Sequence, residues 1–326
     1  MENYLLLILL YLTTLASVSL AKDSRALFIG LLSIAAILAV IDLPDIPEYK
    51  IHYEIAQTSG NEIFNSIYNF EIGYNALVFL VSTILPFEIF YIILLATILL
   101  SYHIFYKTSG DKNSWFYLLI FLSIALYFVS FTIRTSIASI FIVLSLILLK
   151  NNRWLMSIFL IGVGALFHTA ALPFLIFPVV SVIRKFINDF WLLFCLFGCL
   201  GSFLSIAFFQ VIELLTLVQF FETKVLAYDA EPEAGFNFFM LLWCALFLFH
   251  LINPQHLSRF DQNLLIGLFF VFIIFVQNAF FLGRLMWLTS FLFVYFLTKI
   301  FLRCKLSKDF LILLMFFIPM VTLIRF

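Results

Sequence analysis

Charge is what this chain has least of: only 11% of its 326 residues are charged, while 65% are hydrophobic. Soluble domains are typically about 25% charged, so a globular cytoplasmic protein is excluded. Neither sign is in excess, since Lys plus Arg and Asp plus Glu both number 18. That removes the basic field on which nucleic-acid binding depends. Cysteine is scarce as well. Cys195, Cys199 and Cys244 lie in apolar runs and Cys304 at a basic helix end, so neither a disulfide framework nor a zinc site is indicated. Cys195 and Cys199 share a helix face, as residues of a packed seam do. There is no Walker or GxGxxG sequence, no low-complexity tail and no convincing internal repeat. The first apolar segment, Tyr4 to Ala21, has no basic residues before it and no small-residue cleavage site behind a basic region. It is expected to be a retained helix rather than a signal peptide.

What is present is a succession of apolar runs at 4–21, 26–43, 73–86, 88–106, 114–132, 134–149, 154–168, 170–183, 190–212, 235–252, 262–281, 284–298 and 309–325. Spans of this kind are helices, because an open strand cannot satisfy its backbone in lipid. The expected fold is all-α: a polytopic membrane helical bundle, one transmembrane domain over residues 1–326. Polar external loops are expected at about 42–72 and 213–234. Lys22 and Arg25 place the first connection in the cytoplasm. Segment 73–86 is short and ends at Pro86 and Glu88, so it is expected to be re-entrant or interfacial. With that assignment 13 basic residues fall inside and 5 outside, against 6 and 12 if the segment crosses. The expectation is therefore twelve crossings plus one short segment, with both termini outside.

This arrangement locates the unusual polar residues. Arg134 is the only charge between Ser114 and Leu149, and Arg284 the only one between Gln262 and Thr298. An arginine in mid-bilayer costs roughly 2.5 to 3.5 kcal/mol on the lenient insertion scale, so both are expected at external turns. His168 lies near the centre of the uncharged stretch Trp154 to Ile183, whose two ends are basic. A hairpin with short arms is expected there, leaving His168 recessed below the outer surface. The external loops are acidic, with Asp42, Asp45, Glu48, Glu54, Glu62 and Glu71 in the first and Glu213, Glu222, Asp229, Glu231 and Glu233 in the second.

The chemistry of these residues has bland and functional readings. Arg134 and Arg284 either snorkel to headgroups or hold a diphosphate through their planar forks. His168, in "GALFHTAALP", is either a hydrogen-bonded interhelical histidine or an acid, base or donor toward substrate. Glu71 is either a carboxylate favoured by a helix N-terminus or a base for an acceptor hydroxyl. Asp45, Tyr49 and Tyr53, spaced four apart, suit sugar binding, although an interfacial aromatic belt has the same pattern. No metal-ligand cluster is visible, and metal independence is expected.

The order of these motifs is familiar. Asp45, Tyr49 and Tyr53, followed by "EIGY" at Glu71 to Tyr74, resembles the opening of the EpsG family, exopolysaccharide proteins related to Wzy-type O-antigen and capsule polymerases. "IRTSIASIFIVLSLILLKNNR" resembles that family's arginine-led helix and basic turn, "GALFHTAALPFLIFP" its histidine segment, and Arg284 in "FLGRLMWL" its later arginine. Ile72, Thr135 and Ala170 stand where the family often has Pro, Gln and Ser. The resemblance implies a GT-C-like, polyprenyl-linked glycosyltransferase of the bacterial inner membrane. It would join undecaprenyl-diphosphate-linked oligosaccharide units at the outer leaflet without a cofactor. It also implies Arg134 and Arg284 on the diphosphate, Glu71 or His168 on the acceptor hydroxyl, and Asp45, Tyr49 and Tyr53 on the sugar. Membrane lipid, a flippase and a chain-length regulator are the implied partners, and nucleic acid is not one. A flippase or transporter of lipid-linked sugar, an O-antigen ligase and a membrane O-acyltransferase are the competing functions.

Overall fold

The computed structural model describes residues 30, 33–36, 45–65, 70–109, 117–118, 121, 132–216, 238–276 and 279–303. The expected segments 4–21 and 309–325, most of 26–43 and 114–132, and the acidic stretch 217–234 lie outside the described residues.

Among the described residues the regular structure is entirely helical. The α-helices are α1 (Ile46–Ser59), α2 (Ile72–Ser82), α3 (Phe87–Thr108), α4 (Ile133–Lys150), α5 (Trp154–Phe167), α6 (Ile176–Ile183), α7 (Phe190–Thr216), α8 (Phe238–Ile252), α9 (Arg259–Phe275), α10 (Ala279–Leu288) and α11 (Ser290–Arg303). Short 3-10 segments occupy Gly60–Asn65, Thr169–Leu175 and Pro254–His256. Among the described residues three stretches are long and apolar enough to cross a membrane: α3, α4, and Phe190–Ala207 of α7. Several shorter apolar helices accompany them.

The short segment is indeed short. α2 has 11 residues and ends at Ser82, about 16 Å of helix at 1.5 Å per residue against a hydrocarbon core of about 30 Å. Pro86 then caps α3 in an extended conformation, supplying the break. The stretch Trp154 to Ile183 forms two short helices, α5 and α6, joined by a 3-10 segment containing Pro173. Arg134 stands in the first turn of α4, at a helix end rather than mid-helix. Arg284 differs from expectation. It is the sixth residue of the ten-residue α10, and the helix break falls later, at Thr289. Hydropathy cannot register a break made within an uninterrupted apolar run.

The chain divides into two compact units. The first comprises Met1–Ile147, Leu160–Ala171 and Trp287–Phe326. Here α1 buries Tyr49, His52, Tyr53 and Ala56, one face at helical spacing, against α2. The Tyr53 hydroxyl donates to the Leu85 carbonyl at 2.8 Å, and its ring lies against Phe87 and Phe90. α3 is joined to α4 by Tyr102 and Ser139, whose hydroxyls are 2.5 Å apart, and to α11 by Tyr106, which donates to the Phe291 carbonyl at 3.0 Å.

The second unit comprises Leu148–Phe159 and Leu172–Met286. α7 and α6 pack on α9. Phe194 stacks on Phe269 at 4.3 Å between ring centres, and Trp243 of α8 meets Phe272 edge-on at 5.0 Å. α4 ends in a Schellman cap: Asn152 has φ 60°, its N–H bonds the Leu149 carbonyl, and the Arg153 N–H bonds that of Leu148. The turn that follows shares a pocket with the α6 terminus, lined by Asn152, Trp154, Ser181 and Lys185 among others. The α6–α7 turn in its own right meets the start of α9, where Arg259 bonds the Arg184 carbonyl. Three connections that the charge distribution assigns to one side thus gather at one end of this unit.

Candidate functional site

The site is built on Glu71, which directly precedes α2 in extended backbone and makes no cap hydrogen bond to that helix through its side chain. Its carboxylate instead reaches two residues distant in sequence. Oε2 accepts from Nη1 of Arg134 at 2.5 Å, and Oε1 is 3.0 Å from Nδ1 of His168. Three elements supply these groups: the start of α2, the first turn of α4, and the junction after α5. His168 is fixed at that junction by its own backbone, its N–H on the Gly164 carbonyl and its carbonyl accepting from Ala171.

Arg134 is held on further sides. Nε donates to the Tyr49 hydroxyl at 3.4 Å, and the guanidinium carbon lies 4.3 Å from the centre of the Phe70 ring. Phe70 belongs to an aromatic floor with Tyr49, His52 and Tyr74, with ring centres 4.6 to 5.9 Å apart. Beneath it, Nε2 of His52 is 3.0 Å from Oδ1 of Asn75, and the Asn75 amide donates to the Phe70 carbonyl at 3.1 Å. The Tyr74 hydroxyl is buried with no hydrogen-bond partner among the described residues.

The electrostatics follow from this packing. Burial alone would push the Glu71 carboxyl upward, but the hydrogen bond from His168 and the charges of Arg134 and His168 outweigh it and hold the group at about 2. Glu71 is therefore a carboxylate, which only accepts hydrogen bonds, so Nδ1 of His168 carries the proton between them. Burial raises the Tyr49 phenol, which stays protonated beside Arg134. The side chains of Arg134 and Glu71 are 19% and 17% exposed, so the pair is desolvated yet open at its edge, whereas His168 is nearly enclosed at 6%.

Of the residues singled out in the sequence, Glu71, Arg134, His168 and Tyr49 are brought together. Asp45 is at the N-terminus of α1, its carbonyl accepting from the Tyr49 N–H. Tyr53 is turned toward α3 and is fully buried. Arg284 belongs to the second unit, and its side chain lies outside those described. His52, Phe70 and Asn75 were not singled out. Only the helical spacing of His52 from Tyr49, three residues on the same face, pointed to the first of them. Among the described residues no three His, Cys, Asp or Glu side chains group so as to hold a metal ion.

No curated protein and no solved structure is significantly similar to this chain. The EpsG family matches it over residues 25–326, nearly its whole length. The chain belongs to the EpsG family, membrane proteins of polysaccharide biosynthesis of the Wzy-like polymerase type.

Proposed function

We propose that this protein polymerises oligosaccharide repeat units carried on undecaprenyl diphosphate. It acts at the outer leaflet of a bacterial inner membrane that it crosses about twelve times. The observation that carries this reading is the Glu71 bridge, which binds an arginine and a histidine through opposite oxygens of one carboxylate at the edge of a buried aromatic floor.

The bridge favours different roles for its two candidate bases. A carboxylate held at about 2, with both oxygens engaged, is a weak base at neutral pH. Glu71 is thus a positioning residue. By accepting from Nδ1 it keeps the proton on that nitrogen, so that when the imidazole is neutral Nε2 is the acceptor, and it stabilises the charge His168 gains once Nε2 is protonated. In the proposed step the acceptor hydroxyl gives its proton to Nε2 of His168 as its oxygen attacks the anomeric carbon of the lipid-linked chain. The bond from that carbon to the diphosphate oxygen breaks, and undecaprenyl diphosphate leaves with the bonding pair. The glycosyl diphosphate is already activated, so no nucleotide is consumed.

Arg134 spends Nη1 on Glu71 and Nε on Tyr49, which leaves Nη2 to reach a diphosphate oxygen as charge develops there. Arg284 is the second diphosphate cation in this scheme. Asp45 and Tyr49 line the sugar side, whereas Tyr53 serves by holding α1 to the α2–α3 turn. A flippase delivers the units and a chain-length regulator sets when extension stops.

Deletion of the protein, followed by gel analysis of surface polysaccharide, tests the reading. The deletion strain should retain a single capped repeat unit and lose the ladder, and His168→Ala at normal protein level should do the same. Loss of the single unit as well would assign the protein to flipping or earlier assembly. An intact ladder that is never transferred to its final acceptor would make it a ligase.

A further inference from the structure

At the end of the second unit where the turns gather, two arginines lie side by side, Arg259 against the Arg184 carbonyl. Arg184 is buried, only 6% exposed. Its Nη2 donates to Oε1 of Gln262 at 2.7 Å, while Nε and Nη1 have no hydrogen-bond partner among the described residues. Arg259 donates through its own Nη2 to the Arg184 carbonyl and, at 2.9 Å, to Oδ1 of Asn188. Two carboxylates nearby in sequence are engaged in helix caps, and the charge of Asp189 acts on Arg184 without an ion-pair contact. Asp189 accepts from the Leu192 N–H at 2.7 Å, and Asp261 closes the capping box with Ser258. Among the described residues the ion pairs are Lys50 with Glu88, and Arg134 and His168 with Glu71; neither Arg184 nor Arg259 has one.

A guanidinium taken out of water with two of its nitrogens unsatisfied is costly, and a second cation alongside adds repulsion. An anion relieves both. The fork of Arg184 matches phosphate oxygens, and Arg259 and Lys185 are exposed at the rim, where they can turn onto an incoming charge. Gln262 cannot supply that charge. Its carbonyl oxygen already receives Arg184, and its amide donates to the Pro254 carbonyl at 3.0 Å. Two exposed apolar side chains are close in sequence to these polar groups: Phe186, two residues from Arg184, is 83% exposed, and Ile252, at the end of α8, is 75% exposed.

We infer that Arg184 and Arg259, with Lys185 and Asn188 at the rim, form a phosphate-binding site within the second unit, taking a membrane-lipid headgroup phosphate or free phosphate. Exposed apolar side chains near the cations in sequence suit a lipid, whose chains they would contact.

The test uses the full chain purified in dodecyl maltoside and follows its unfolding temperature. Phosphatidylglycerol, diacylglycerol with the same chains, and inorganic phosphate are titrated separately. Stabilisation by phosphatidylglycerol but not by diacylglycerol or inorganic phosphate identifies a headgroup site; equal stabilisation by inorganic phosphate identifies a free-phosphate site. In either case Arg184→Gln and Arg259→Gln should bind about tenfold more weakly, in line with the loss of a charged hydrogen bond. Should Arg184→Gln fail to fold, the exposed Arg259 variant carries the comparison. A wild-type protein indifferent to both phosphate probes, or an Arg259→Gln protein that responds as the wild type does, overturns the site.

Discussion

Gly73 of α2 lies against the backbone of Leu166 in α5: a Cβ on Gly73 would stand 2.7 Å from the Leu166 carbonyl oxygen and 2.8 Å from its carbonyl carbon. Glu71 is two residues before the glycine and His168 two residues after the leucine. The approach of these two backbones therefore sets the spacing of the carboxylate and the imidazole. Any side chain at position 73 separates them.

Gly73→Ala should lower stability by about 1–3 kcal/mol, the usual cost of overpacking, and abolish polysaccharide chain extension. Gly162→Ala is the control, because a Cβ there meets nothing within 4 Å. It should be neutral or slightly stabilising, by up to about 1 kcal/mol. Unfolding temperature in detergent and the polysaccharide ladder are the readouts. Equal behaviour of the two variants would contradict the spacing argument.

Arg134→Lys should fail where a conserved charge alone would suffice. The guanidinium meets Glu71 at 2.5 Å, the Tyr49 hydroxyl at 3.4 Å and the Phe70 ring at 4.3 Å, from three directions. A lysine ammonium is a single point on a flexible stem and cannot meet all three. Chain extension should be lost in the lysine variant as fully as in Arg134→Ala. A wild-type ladder from Arg134→Lys would reduce this arginine to a charge.

The Glu71 bridge has a pH signature. Its carboxyl is held at about 2 against an ordinary 4.5, because the His168 hydrogen bond and the Arg134 and His168 charges more than offset burial. A group depressed on folding contributes its full stability above the unfolded value and loses it as pH falls from there toward the folded value. The unfolding temperature should therefore lose this contribution between about pH 4.5 and pH 2. Glu71→Gln should be less stable at neutral pH, by up to about 3–5 kcal/mol for an orphaned buried partner, and flatter over the acid range. Parallel curves for the two proteins would remove Glu71 as the charged partner.

Asn75 supports the aromatic floor through both ends of its amide, with His52 on one side and the Phe70 carbonyl on the other. Burial pulls the His52 pKa down, so this imidazole is neutral and depends on that hydrogen bond. Asn75→Leu should cost about 1–3 kcal/mol by leaving buried polar groups unmade, and should loosen Phe70 beneath Arg134. Unfolding temperature measures the first effect and ladder length the second. An Asn75→Leu protein as stable as the wild type would show that the floor does not rest on this residue.

The parts of this architecture that were legible in the sequence share one property: they interrupt apolar runs. Arg134 at the start of α4, His168 at the turn after α5, and the termination of α2 before Pro86 all announce themselves, because a charge, an imidazole or a proline is expensive inside a span. The bridge itself was not legible, since Glu71 and Arg134 are 63 residues apart and no local pattern pairs them. Arg284 was placed at a turn because it resembles Arg134 in context, yet it stands within α10. The break at Thr289 costs no charge and leaves the run apolar, so hydropathy passes over it. Tyr53 shares its helix face and spacing with Tyr49, but it points toward α3. Helical periodicity alone cannot distinguish two neighbours on one face.

The central claim is that His168, oriented by Glu71, takes the acceptor proton as one lipid-linked chain is transferred to another. The most direct measurement reconstitutes the purified protein in liposomes with undecaprenyl-diphosphate-linked repeat units and follows polymer and released undecaprenyl diphosphate together. The wild type should form a ladder and release one undecaprenyl diphosphate for each new linkage, while a folded His168→Ala protein should do neither. A His168→Ala protein that polymerises at the wild-type rate, or a wild type that moves units across the bilayer without joining them, would contradict the account.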